Sequence, residues 1–128
     1  MNAIALREPL NIFLKEIEKY PVLSKEEEYK LALSYYEEKN LDPANTLVVS
    51  NIRFVIKIAR EYLSYGFPLS DLVQEGTIGL MNAVKKFIPI KRYRLNSYAV
   101  WWIRAGIQNH IMKFWSQIKI DTTHAKRK

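Results

Sequence analysis

Tyr98, Trp101, Trp102, Ala105, Gln108, Asn109 and Met112 recur at steps of three and four along a stretch that opens "NSYAVWWIRAGIQNHI" at residue 96. On an α-helix those steps fall on one side, so rings and amides would share a strip. Rings stack on unpaired bases, and amides read base edges. Lys91, Arg92 and Arg94 precede the strip, and Arg104 and Lys113 lie along it, where cations would hold phosphates. The chemistry these types can do together is the binding of unstacked nucleic acid, with no covalent step. The adjacent tryptophans sharpen the point. Neighbours on a helix diverge by about 100°, so two indoles side by side cannot both enter a core at small cost. The alternative is that both belong to a core or a protein interface.

Other chemistries find less support. Asp71 and Glu75 sit one helical turn apart, as catalytic carboxylates can, but no His, Ser or metal ligand is expected to join them. Asp71 is explained by a helix N-terminus. His110 and His124 have no apparent ligand partners, and there is no glycine-rich phosphate loop. Zero cysteines remove disulfide and thiol chemistry. No enzyme, metal or cofactor is expected. The stretch "LSDLVQEGTIGLMNAVKKF" instead places Asp71, Gln74, Glu75, Ile78 and Asn82 opposite its apolar side. Acids and amides around an exposed Ile suggest a docking face for a protein with basic side chains, and a solvated polar face is the alternative. Gly76 and Gly79, three apart, suggest close approach of another backbone.

These strips need elements to hold them. A chain of 128 residues suffices for one domain with a modest core, and 48% hydrophobic content favours folding. Leu10, Phe13, Leu14 and Ile17 mark a first helix, opened by Pro9 and ended by Pro21. Ser24 and Glu27 fit a capping box ahead of a stripe of Tyr29, Ala32, Leu33 and Tyr36. Asp42 caps and Pro43 opens a long helix over 43–64, with Leu47, Val48, Val55, Ile58, Ala59 and Tyr62 inside. Ser70 caps a helix to Phe87, with Leu72, Val73, Leu80, Ala83, Val84 and Phe87 inside. Residues 88–95 read as a loop. Asn96 caps a last helix to Phe114, with Ala99, Val100, Ile103, Ile107, Ile111 and Phe114 inside. The fold class is all-α, a bundle of five helices.

Charge divides the chain. Residues 1–84 carry 9 Lys/Arg against 12 Asp/Glu, and residues 85–128 carry 11 against one, Asp121. Such polarity suggests two partner surfaces, one for a polyanion. No apolar run is long enough for a membrane span and no secretion signal opens the chain, so a cytoplasmic protein with no membrane partner is expected.

The segments "NIRFVIKIAREYLSYGFPLSDLVQEGTIGLMNAVKKF" and "SYAVWWIRAGI" resemble the bacterial sigma-70-type transcription initiation factors. The resemblance runs from Pro9 to the last residue, and "KFWSQIKIDTTHAKRK" is similar to the heat-shock group. It implies a region-1.2-like part at 1–40, a region 2 core at 41–116, and a basic segment at 117–128 leading to later domains. It implies docking of Asp71, Gln74, Glu75, Ile78 and Met81 on the clamp coiled coil of the largest subunit of core RNA polymerase. It also implies capture of the non-template strand of the minus-ten promoter element, with melting of the DNA. Phe87, Lys91 and Tyr98 match the pocket for a flipped adenine. Trp101 and Trp102 match the pair at the upstream fork. Ala105 and Gln108 match positions facing the last double-stranded pair, and Asn51 matches a residue that helps bind a second extruded base. With Arg92, Tyr93, Arg94, Ser97, Arg104 and Asn109, these make the expected DNA-contacting set. An anti-sigma or chaperone regulator is a further implied partner. An interaction-only protein that never opens DNA is the competing reading. The chain departs from the family at Arg92, where glycine is common, and at Ala105-Gly106, where an amide or acid usually precedes a better helix former. Gly106 is expected to soften its helix.

Overall fold

The computed structural model describes residues 15–127, with side chains through residue 120. Leu10, Phe13 and Leu14 of the first expected helix lie outside the described residues; residues 15–18 are helical and bury Ile17. Among the described residues there is no strand, and five longer helices follow: α1 (Lys25–Glu38), α2 (Leu41–Ser50), α3 (Ile52–Arg60), α4 (Leu69–Lys86) and α5 (Leu95–Arg127). Single 3-10 turns at Leu63–Tyr65 and Pro89–Lys91 join α3 to α4 and α4 to α5. The all-α bundle expected from periodicity is what forms.

The capping box of α1 is present in both directions. Ser24 Oγ accepts the Glu27 N–H, and Glu27 Oε1 accepts the Ser24 N–H, each at 3.1 Å. The inward stripe differs from the expected one. It runs through Glu28, Leu31, Ala32 and Tyr35, while Tyr36 is exposed. An acid can occupy that stripe because Glu28 finds partners across the bundle, which apolar periodicity does not register.

The expected single helix over 43–64 is two helices and a turn. It breaks at Asn51, whose φ of −108° and ψ of 5° leave the helical region while its Nδ2 donates to the Leu47 carbonyl at 2.7 Å. A short amide that bonds the main chain competes with the helix ladder in this way. The cap of α2 is Asn40, not Asp42: Asn40 Oδ1 accepts the Asp42 N–H at 3.1 Å. Pro43 then sits third in α2, where no intrahelical donor is required. The N-terminal boundary residue of α4 is Pro68, without a side-chain cap, and Ser70 lies inside the first turn. The buried residues of α4 are otherwise those expected, Leu72, Val73, Leu80, Ala83 and Val84, with Phe87 just beyond.

Two corrections concern α5. Asn96 is not its cap, because the helix begins at Leu95 and the Leu95 N–H donates to Glu28 Oε2 at 2.9 Å. The helix also runs past Phe114 to Arg127. Leu95, Ala99, Ile103, Ile107 and Ile111 are buried, Val100 is half-buried, and Phe114 is 51% exposed. Residues 112–120 are all exposed, so α5 leaves the core after Ile111, with Phe114 still edge-on to Phe67 at 5.0 Å.

The most extensive helix pairing is between α4 and α5, and glycine makes it close. A Cβ on Gly79 would run into the Trp102 carbonyl, and one on Gly106 would lie 2.6 Å from the Glu75 carbonyl oxygen. A Cβ on Gly76 would come within 2.8 Å of Val55. Gly106, expected to soften α5, is thus where the α4 main chain comes in.

Candidate nucleic-acid interface

The α4–α5 connection gathers the rings. Phe87, buried at the end of α4, meets Tyr93 edge-on at 5.6 Å and Tyr98 at 5.9 Å. Tyr98 lies 6.3 Å from both Tyr93 and Trp102, so four rings form one array. Such centroid separations are those of favourable aromatic pairs. Lys86 Nζ stands 5.9 Å over the Trp102 ring. The two indoles take different places. Trp102 is half-buried against the core, while Trp101 is 72% exposed. Ala105, Gln108, Asn109 and Met112 continue the outward side of α5, all exposed, and Ser97 is exposed near its start.

The basic loop is held from α1. Glu28, only 4% exposed, accepts Arg94 Nε at 3.1 Å and an Arg94 terminal N–H at 3.4 Å, besides the Leu95 N–H. Arg94 also donates to the Leu23 carbonyl at 3.1 Å. One carboxylate therefore caps α5, where a negative charge is favoured, and fixes the loop before it. Arg92 takes a left-handed conformation, φ 64° and ψ 19°, and its guanidinium lies 4.8 Å over the Tyr29 ring. The backbone at this position does adopt the glycine-favouring region, with the aromatic contact offsetting part of its cost. Lys91 is exposed. A cleft of about 350 Å³ opens between α1 and the loop, lined by Lys25, Tyr29, Lys30, Phe87, Arg92 and Tyr93 among others. Its rings and cations suit a base with its phosphate.

Arg104 is not a free cation. It pairs with Glu61 at 3.1 Å and donates to the Tyr62 hydroxyl at 3.3 Å, and these bonds, that to Tyr62 first, raise its pKa further. Asn51 lies at the α2–α3 junction, where its amide donates to the Leu47 carbonyl.

On α4, Gln74, Ile78 and Met81 are exposed and Asp71 and Glu75 are half-buried along the outward side. His110 does reach this face, contrary to expectation, with Nδ1 3.8 Å from Glu75 Oε1. Among the described residues no His, Cys, Asp or Glu cluster is arranged to hold a metal, and no helix is long and apolar enough to cross a membrane.

Sequence reasoning missed Glu28, Tyr29, Lys86 and Tyr62 as parts of the interface. A signal for Glu28 existed, since Glu28, Leu31, Ala32 and Tyr35 follow the i, i+3, i+4, i+7 rule once an acid is admitted to it.

Residues 47–116 match the family described as Sigma-70 region 2, and residues 8–38 match Sigma-70 factor, region 1.2. The chain is 45% identical to RNA polymerase sigma factor RpoH of Caulobacter vibrioides, covering all of this chain and 44% of that protein. It is 49% identical to RpoH of Zymomonas mobilis, over 93% of this chain and 39% of that one. It is also 49% identical to the sigma-C factor of Myxococcus xanthus, over 99% of this chain and 43% of that one. The chain thus spans less than half the length of these relatives.

Proposed function

The chain belongs to the sigma-70 family, on its heat-shock-like branch, and from that membership we propose that it carries two recognition faces for transcription initiation. The outward side of α4, with Asp71, Gln74, Glu75, Ile78 and Met81, docks on the clamp coiled coil of core RNA polymerase. The ring array and the loop before α5 capture the non-template strand of the minus-ten element and hold it open. In this reading α1 braces the loop before α5, residues 41–116 carry both faces, and residues 117–127 prolong α5.

The observation that carries the DNA half is Trp101, 72% exposed beside an array of four rings on a helix that leads with cations. An exposed indole has no packing reason to be there, and it can replace the stacking lost at a duplex edge. Flipping a base costs a few kcal/mol, and each stacked base returns about 1–3 kcal/mol. Binding energy alone then shifts DNA toward the open form. The closeness of Phe87, Tyr93 and Tyr98 supports a base pocket with Lys91 and Arg92 at its phosphates.

The test is a pair of measurements on Trp101→Ala. Affinity for fork-junction DNA with a TATAAT-like single strand is expected to fall about tenfold, with core polymerase binding unchanged. Equal loss of both would mean that the substitution only damages the fold, and no loss of DNA binding would leave an interaction-only protein.

A further inference from the structure

The loop before α5 turns on a residue whose side chain does not suit its backbone. Arg92 closes the 3-10 turn with φ 64° and ψ 19°, and its N–H donates to the Pro89 carbonyl at 3.0 Å. For a residue with a Cβ, that left-handed region lies above helical and extended backbone in energy, and glycine alone holds it without steric cost. The turn also sets the direction of the next residue, Tyr93, which meets Phe87 at 5.6 Å and Tyr98 at 6.3 Å. An Arg92 that relaxed to extended backbone would carry Tyr93 away from both rings.

What holds Arg92 comes from α1. Its guanidinium lies 4.8 Å over the half-buried ring of Tyr29. The neighbouring Glu28 takes Arg94 and the Leu95 N–H. Adjacent residues of α1 thus grip the chain on either side of Tyr93, Tyr29 at Arg92 and Glu28 at Arg94. Glu28 also caps α5, so its loss would damage the helix itself, whereas the Tyr29 ring can be removed with that cap left in place.

We infer that Tyr29 is a positioning residue: by stacking on Arg92 it stabilises the left-handed turn that sets Tyr93 in the ring array, and so raises the share of molecules whose base pocket is formed. The inference rests on the strand-capture reading above. Binding through a partly populated conformer is weakened by the unpopulated fraction. A cation–π contact at an exposed site shifts such a balance by about two- to fivefold. A guanidinium held over a ring can still turn N–H groups toward a phosphate, so the test must separate that role from the grip on the turn.

The experiment uses the 128-residue chain with purified core polymerase, a TATAAT-like single strand and its scrambled control. Tyr29→Ala is made in two backgrounds, with arginine at position 92 and with Arg92→Gly. In the arginine background, capture of the TATAAT-like strand is expected to weaken about fourfold, with core polymerase binding unchanged. In the glycine background the turn needs no partner, and Tyr29→Ala should change affinity by less than about 1.5-fold. Tyr29→Phe, which keeps the ring, should recover most of the loss beside arginine. Equal losses in both backgrounds overturn the positioning role, because a ring that touches DNA directly would act alike beside arginine or glycine. No loss in either background overturns it, and so does a parallel fall in core polymerase binding, which marks damage to the bundle. Those three results leave strand capture standing. Failure of the unsubstituted chain to distinguish the TATAAT-like strand from the scrambled one sinks strand capture and this inference together.

Discussion

Trp101 and Trp102 differ by one position and by their whole environment. Trp102 lies against the core beneath Tyr98 and Lys86, whereas Trp101 stands 72% exposed. Substituting them should separate fold from binding. Trp101→Ala should change stability by no more than about 0.5 kcal/mol. Trp102→Ala should cost roughly 2 kcal/mol, less than a fully buried ring would. Chemical unfolding of the two variants side by side checks this. Arg92 gives a second residue-scale expectation. Glycine there would relieve a left-handed backbone at a gain of about 1 kcal/mol but lose the contact over Tyr29, about 0.5–1 kcal/mol. Arg92→Gly should therefore leave the denaturation midpoint nearly unmoved, while Arg92→Ala lowers it. Adjacency alone showed that both indoles could not enter the core, but the outward strip read from spacing held both, and Trp102 packs on the core instead. The partners of Arg92, Arg94 and Arg104 were not legible, because Tyr29, Glu28 and Glu61 stand 43 to 66 residues away in the chain and no local pattern links them.

Helices were legible where apolar periodicity was long, and their ends were not. The inward positions of α4 could be read almost completely, since Leu72, Val73, Leu80, Ala83 and Val84 leave no second register. The caps went astray where several short polar residues compete within a few positions, as with Asn40 against Asp42. Asn51 ended a helix by bonding its own preceding turn, a choice its sequence neighbours do not reveal. Two element-scale expectations follow. Gly79→Ala drives a methyl group into the Trp102 carbonyl, so α4 and α5 must part. A loss of roughly 2–3 kcal/mol is expected, visible as a lowered Tm, and Gly106→Ala should behave alike. The second concerns α1. Glu27 has its pKa held below the ordinary carboxylate value by accepting the Ser24 backbone N–H, with the Ser24 hydroxyl and Lys30 assisting. A folded-state pKa lowered in this way contributes stability above the unfolded value, lost as pH falls through the folded one. The stability gap between the unsubstituted chain and Glu27→Gln should therefore be open at neutral pH and close in the acid range, as a pH series of thermal melts would show.

Across the whole molecule, charge was the most legible property and its use the least. The basic last third carries 11 Lys/Arg, yet three of the arginines expected at DNA already have partners in Tyr29, Glu28 and Glu61. Salt dependence of DNA binding should reflect this. Counterion release gives a slope of about 0.7 per phosphate contact on single strands. Lys91→Ala should flatten the plot of log affinity against log salt by about that amount, whereas Arg104→Ala should leave its slope alone. The folded bundle also joins what charge seemed to divide, because α1 from the acidic part holds the loop before α5 in the basic part through Glu28.

The glycine crossing sets how far apart the two surfaces of the bundle stand. Gly79 touches the main chain of Trp102, and its neighbour Ile78 points outward from α4. No layer of compliant side chains cushions that junction. A shove delivered at Ile78 would cross only two closely packed main chains before reaching the indole pair, so the wall between the two proposed faces is as thin as polypeptide allows.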